Sequence, residues 1–266
     1  MDRKGEFSAG KLRVGELLVG ERNGKSGSAA EQGDLIPDVV TIEKFDCAPV
    51  CMQTTGEVCD GTDTDVHAMV FPRTGFEFTN IGTQTILCPQ ITASGLNIGR
   101  DQADGEGTEI TQGITANSRS AFTVGTSGAF YAKCTFSIED VSGTDDCAFG
   151  FRKAEAYQAA IDDYDEMAAL NVISGDINIE TILNNAGTDT TDTTDDWADG
   201  EEHTLEVYVS SSGVVTFKID GAAPTTTAAF TFDDDEVVVP FFYLINTADG
   251  TGELCLTEWE VGLQEA

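Results

Sequence analysis

Forty-seven Asp and Glu residues stand against 14 Lys and Arg in a chain of 266. Carboxylate chemistry is therefore the first to weigh. Glycoside hydrolysis needs two carboxyl groups about 5–9.5 Å apart. Glu258 and Glu260 offer such a pair on one strand face, and Asp162, Asp163, Asp165 and Glu166 form a cluster. In so acidic a chain these pairs arise from composition alone, so solvated edges are the expectation and no catalytic residue is assigned. A calcium ion would need 6–8 oxygen ligands from loops. Asp233-Asp234-Asp235-Glu236 and the acids Asp192, Asp195, Asp196 and Asp199 are the candidate donors. The twelve-residue calcium loop pattern is missing, so no metal ligand is assigned, and Ca2+ is the one cofactor the acids leave open.

Nucleophilic chemistry has less to stand on. The only histidines are His67 and His203, and no Gly-x-Ser-x-Gly elbow or phosphate-binding glycine loop occurs. Seven cysteines are an odd count, and Cys47-x3-Cys51-x7-Cys59 fits no common zinc spacing. Cys134, Cys147 and Cys255 fall on the apolar side of strand-like runs and are expected to be buried, reduced thiols. A sugar site would want exposed rings. Trp197 and Tyr208 are the candidate ligand platforms, with Tyr243 a third, whereas Trp259 lies on the apolar face of its run.

The elements that must position these residues are strands. Phe130, Ala132, Cys134, Phe136 and Ile138 alternate with polar residues, as do Leu205, Val207 and Val209, and then Val215, Phe217 and Ile219 after the turn Ser211-Ser212-Gly213. Val237 to Ile245 is apolar on both faces, which predicts a central strand, with Pro240 marking a bulge or an unpaired edge. The last run is expected to place Cys255, Thr257, Trp259, Val261 and Leu263 together. Ala154 to Met167 reads as a short helix or structured loop, and Thr188 to Asp196 as an exposed acidic loop. Many short strands with Gly- and Asp-rich turns predict an all-β sandwich or barrel with at most one or two short helices.

Charge divides the chain. The first 25 residues carry Arg3, Lys4, Lys11, Arg13, Arg22 and Lys25 against four acids, while the other 241 carry 8 basic and 43 acidic residues. Residues 1–33 are expected to form an extended arm that orders on a partner, and residues 34–266 the sandwich, with 34–94 either adding strands or forming a small lobe. The acidic body excludes nucleic acid, which asks for a basic footprint. No apolar run approaches the ~20 residues of a membrane helix, and no leader is visible at Met1-Asp-Arg-Lys-Gly-Glu, so synthesis in a cytoplasm is expected.

The stretch Asp199 to Gly221 (DGEEHTLEVYVSSSGVVTFKIDG) resembles the concanavalin-like, laminin-G-like jelly roll. Further blocks resemble virion structural proteins of tailed, especially aquatic, bacteriophages. They are Gly95-Leu-Asn-Ile…Asp101-Gln, Phe149-Gly-Phe-Arg-Lys…Tyr157-Gln, Ile161-Asp-Asp-Tyr-Asp-Glu-Met, Asn171-Val-Ile-Ser-Gly-Asp-Ile, Phe217-Lys-Ile-Asp-Gly-Ala-Ala-Pro, Phe230-Thr-Phe-Asp-Asp and Glu258-Trp-Glu-Val-Gly. The resemblance covers about Gly95 to Gln264. It implies a capsid-associated or tail-associated jelly-roll β-sandwich without enzymatic activity, and the acidic body, which should avoid packaged DNA, points to the outer surface of a capsid. Its partners would be the major capsid protein or other virion proteins, and the chain would be a homo-oligomer. The basic arm residues would be the partner-binding set of a decoration or cement protein. The alternative is a glycan-binding module of a tail fibre or head appendage. The Glu-x-Asp-x-x-Glu spacing of the glucanase branch is absent, so hydrolysis is not carried over.

Overall fold

In a computed structural model of the chain, the described residues are 41–45, 50–53, 67–70, 75–82, 89–99, 103–113, 118 and 120–264. The basic arm residues Arg3 to Lys25 lie outside them. The described residues all fall within one compact unit, Asp38–Ala266.

Among the described residues seventeen strands form two sheets, every pairing antiparallel. The larger sheet contains β2 (Val50–Gln53), β3 (His67–Val70), β4 (Gly75–Ile81), β7 (Gly107–Thr111), β10 (Thr144–Lys153), β11 (Met167–Ile173), β12 (Asp176–Ile182), β13 (Asp189–Asp196) and β16 (Val237–Asn246). Its order is β13-β12-β11-β10-β16-β7-β4-β3-β2, and β8 (Phe122–Thr123) adds to β16. The smaller sheet contains β5 (Gln90–Thr92), β6 (Gly95–Asn97), β9 (Phe130–Ile138), β14 (Glu202–Val209), β15 (Val215–Ile219) and β17 (Leu254–Leu263). Its order is β15-β14-β9-β17-β6-β5, and β1 (Thr41–Lys44) adds to β17. Among the described residues, the strands between 41 and 97 thus join both sheets.

Alternation places one side of each strand between the sheets. Phe136, Phe149, Phe151, Phe242 and Trp259 are buried there together, and the Trp259 ring meets Phe149 edge-on at 5.2 Å. Strand β16 is apolar on both sides because both are covered: Val238, Phe242 and Leu244 face the smaller sheet. Phe241, Tyr243 and Ile245 belong to a second apolar cluster, with Ala148, Ala169, Ile161 and Tyr164. Pro240 falls where the neighbour of β16 changes from β8, paired at Val237 and Val238, to β7, paired from Phe241 onward. No ladder bond asks for the missing N–H at that point.

Two expectations are corrected and an open one is decided. The acidic run is no loop: Asp189–Asp196 forms edge strand β13, held by β12. Its acids and threonines protect the open edge against pairing with another chain. Of the two readings of Ala154 to Met167, a short helix or a structured loop, the structure has the loop, with a single 3-10 turn at Ile161–Asp163 before β11 begins at Met167; it is a strap. Finally, the register of β17 shifts between Leu256 and Glu258, so Leu256 joins Trp259 in the core. Cys255 turns instead toward the Thr92 hydroxyl, 3.6 Å away, because one extra residue reverses which side chains face inward.

Candidate functional site

The outer side of the larger sheet is not an ordinary wet surface. Register sets two rows of side chains across it. One runs Asp192, Asn178, Asn171, Ala148, Tyr243, Glu109, and its neighbour runs Thr190, Glu180, Ala169, Gly150, Phe241, Thr111, Glu77. Small residues in the middle leave a low floor. The strap lies over one half of this face and is held there by Ile161 and Tyr164 in the second apolar cluster and by the Tyr243 hydroxyl, which donates to the Ala159 carbonyl at 3.0 Å. Over β11 to β13 the face also carries polar side chains, Asn171, Asn178, Glu180, Thr190 and Asp192, beside the apolar Met167, Ala169 and Ile182.

Asn171 organises the polar half. Its Oδ1 accepts the Cys147 N–H at 2.8 Å, beside a register irregularity of β10 between Thr144 and Asp146. Its Nδ2 donates to Asp146 at 2.7 Å and to Glu180 at 2.9 Å. The free oxygen of Glu180 accepts the Thr190 hydroxyl at 3.2 Å. Asn171 and Glu180 are buried, Asp146 is half-buried, and Thr190 and Asp192 are exposed. A bulge in a strand re-aims side chains in this way.

Two carboxylates sharing one amide nitrogen repel one another in a poorly solvated place. Burial, followed by the charges of Glu180, Asp145 and Asp162, pushes the Asp146 carboxyl up to about 7, against the restraint of the Asn171 bond. Burial also raises Glu180. Near neutral pH Asp146 can therefore both donate and accept. Its partner is tied to the same nitrogen rather than placed across a cleft, an arrangement that suits hydrogen bonding to a polyol better than bond cleavage between two flanking acids.

Under the strap lies a second, sealed set. Arg152 is fully buried and pairs through Nε with Glu109 at 2.7 Å. Its Nη1 donates to the carbonyls of Lys153 and Glu155 at 2.9 and 3.0 Å. The Tyr164 hydroxyl donates to the other Glu109 oxygen. Burial raises Glu109, while Arg152 and Tyr164 pull it back.

The sequence-predicted site residues fare differently. Trp197 cannot be a platform: it is 2% exposed, its ring sits 4.6 Å from Phe136, and its Nε1 donates to the Glu201 carbonyl. Tyr243 is wholly buried. Tyr208 lies on the outer side of the smaller sheet, stacked on Tyr131 at 5.6 Å with Lys218 over its ring, and its hydroxyl donates to Glu206 at 2.5 Å. That ring is partly exposed but already engaged by Tyr131 and Lys218. Glu258 pairs with Lys44 at 2.8 Å and Glu260 accepts the Tyr131 hydroxyl, so they form no catalytic pair.

The calcium candidates splay apart: Asp195 accepts from Thr225, Asp199 from the Val141 N–H, and Asp233 from Asn184. Among the described residues no group of three or more acid, His or Cys side chains could hold a metal ion. His203 bonds Asp220 at 2.6 Å and Glu201 at 3.2 Å; these bonds outweigh burial and raise it. Cys134, Cys147 and Cys255 are free and buried. Sequence reading missed Asn171, Glu180, Asp146, Arg152 and Glu109. The available signal was one polar residue breaking an apolar run at an outward position, as in Ala168-Ala169-Leu170-Asn171-Val172-Ile173.

No protein-family model matches the chain, and no curated protein matches it. Solved structures do resemble it in shape. The exoplasmic/lumenal domain of VIP36 in its Ca2+-bound form superposes with a TM-score of 0.50 at 8% identity, over 85% of this chain and 90% of that one. A chain from work on endo-acting O-glycanases that prominent members of the human gut microbiota express to initiate mucin breakdown gives 0.50 at 10% identity, over 84% and 98%. The carbohydrate recognition domain of Emp47p gives 0.48 at 11% identity, over 71% and 89%. Two packed antiparallel sheets, with the likeness to the first two of these structures, make the fold an all-β jelly-roll sandwich.

Proposed function

We propose that the chain is a non-catalytic carbohydrate-binding module whose site is the polar half of the larger sheet's outer face. One observation carries this reading: Asn171 holds Asp146 and Glu180 together beside the exposed Thr190 and Asp192. Burying such groups costs stability unless they are hydrogen-bonded, and a plain sandwich would place apolar or freely solvated residues there. Alternating carboxylate, amide and hydroxyl groups match the donors and acceptors of a sugar ring. One of the structures that resemble this chain comes from work on endo-acting O-glycanases that initiate mucin breakdown. A glycan array tests the reading. The full chain should retain a defined set of neutral glycans, and the surface double variant Thr190→Ala/Asp192→Ala should weaken them about tenfold, the loss of roughly 1.4 kcal/mol. An array with no bound glycan contradicts it.

The charge partition favours a second, compatible reading: the module sits on a virion surface, with the basic residues Arg3, Lys4, Lys11, Arg13, Arg22 and Lys25 gripping a capsid protein while the acidic body stays clear of the genome. Removing residues 1–33 should abolish binding to undecorated heads; unchanged binding would end this reading.

A further inference from the structure

The strap leaves the larger sheet and returns to it through a narrow neck. The Lys153 N–H donates to the Glu166 carbonyl at 2.8 Å, and the Asp165 N–H to the Glu155 carboxylate at 2.9 Å. The Ala154 N–H donates across to the Val237 carbonyl at 2.8 Å. A surface loop tied at its base in this way is a compact unit. It covers the Arg152–Glu109 pair, and it seals in the Arg152 Nη2 and the Tyr157 hydroxyl, which have no partner among the described residues.

Charge collects at the neck. Glu155, Asp165 and Glu166 come from the strap, and Asp233 and Glu236 from the segment before β16. Against them stands Lys153 at the end of β10, with Nζ 3.5 Å from Asp165 and 3.3 Å from Glu236. Arg152 faces Glu155 as well but is bound to Glu109, and Asp233 also takes the Asn184 amide at 3.0 Å. Glu166 is the member set apart. It is 1% exposed. The Asp233 backbone N–H donates to its carboxyl group, yet Oε2 is buried with no partner among the described residues.

That geometry holds a neutral carboxyl group more easily than a charged one. An ionised Glu166 would keep a buried oxygen without a donor, beside Glu236 and Asp233, with the only nearby ammonium already divided between two other acids. Burial, followed by the charges of Glu236 and Asp233, pushes the Glu166 carboxyl up to about 7, against the restraint of the Asp233 N–H and Lys153. A solvated Glu ionises near 4.3. The closed neck therefore keeps a proton that an open, wet neck has lost. Closure is favoured fully below about pH 4, and that advantage is lost as pH rises through about 7.

We infer that Glu166 is a proton-operated latch: protonated, it keeps the neck shut, and ionised, it turns out to water and loosens the strap from the sheet. This goes beyond the carbohydrate-binding reading and holds whether or not the face takes a sugar. Amide hydrogen exchange of the full chain at pH 5 and pH 8 tests it, with rates expressed as protection relative to the unfolded chain at each pH. Protection at Ala154, Gln158 and Asp165, whose N–H groups are bonded within or beside the strap, should fall about tenfold or more at pH 8. Protection at Phe149 and Phe242, paired between β10 and β16, should hold.

Glu166→Gln keeps the size of the side chain and removes its charge, so its strap should be equally protected at both pH values. Glu236→Gln leaves Glu166 in place and removes the strongest repelling charge; it should shrink the fall, and it serves as the readout if Glu166→Gln does not fold. Equal strap protection at pH 5 and pH 8 in the wild type would overturn the inference. So would a fall shared equally by Phe149 and Phe242, or one undiminished in the variants.

Discussion

At the scale of single residues, the molecule is organised by a few polar groups placed among apolar ones. Asn171 is the clearest case, satisfying one backbone N–H and two carboxylates with a single amide. Asp146 carries a measurable consequence. Its carboxyl rises to about 7 in the fold, against about 3.9 in an unfolded chain. Between those values the native state holds a proton the unfolded state has lost. Its contribution to stability is therefore complete below about pH 4 and is lost as pH rises through about 7. Replacing it by Asn keeps an acceptor for Asn171 and removes the titration. Urea unfolding at pH 4.5 and pH 8 should show Asp146→Asn gaining stability relative to wild type at the higher pH. An identical pH dependence in both proteins would show that Asp146 titrates as an ordinary exposed acid.

At the scale of elements, alternation carried most of the fold. Strands β9, β14 and β15 stand where period-2 runs placed them, and β16 is central because both of its sides are apolar. Other features were hidden for separate physical reasons. The edge strand β13 has no inward apolar repeat, since its partner β12 supplies the backbone bonds and solvent takes its acids. The irregularities in β10 and β17 are single-residue events that no period reveals, yet one aims Asp146 and the other moves Cys255 off the core side. The strap is legible as a break in the strand pattern, but its attachment is not, because Ile161, Tyr164 and Tyr243 meet only through tertiary packing. The middle of the face is kept low by Gly150, where an added Cβ would fall 2.2 Å from the Ala168 carbonyl oxygen. The candidate rings Trp197 and Tyr208 were drawn from residue type alone. Type does not say which side of a sandwich a ring will face, and Trp197 became core because Phe136 lies beneath it.

At the scale of the whole molecule, the two faces divide the work. The smaller sheet's outer side satisfies its own charges: Lys133 with Glu206, Lys44 with Glu258, and the Tyr131–Tyr208 stack between lysines. The larger sheet's outer side keeps hydrogen-bonding capacity beside a strap that shelters unused donors. An acidic body of this size repels anionic partners at long range, which agrees with the neutral glycans proposed for the amide–carboxylate row. Mapping backbone amide shifts on the isotope-labelled full chain during titration with its best-binding neutral glycan tests this most directly. The account predicts that Asp146, Asn171, Asn178, Glu180, Thr190 and Asp192 move first, with the surroundings of Tyr131 and Tyr208 unmoved. Shifts confined to the smaller sheet, or none with any glycan, would contradict it.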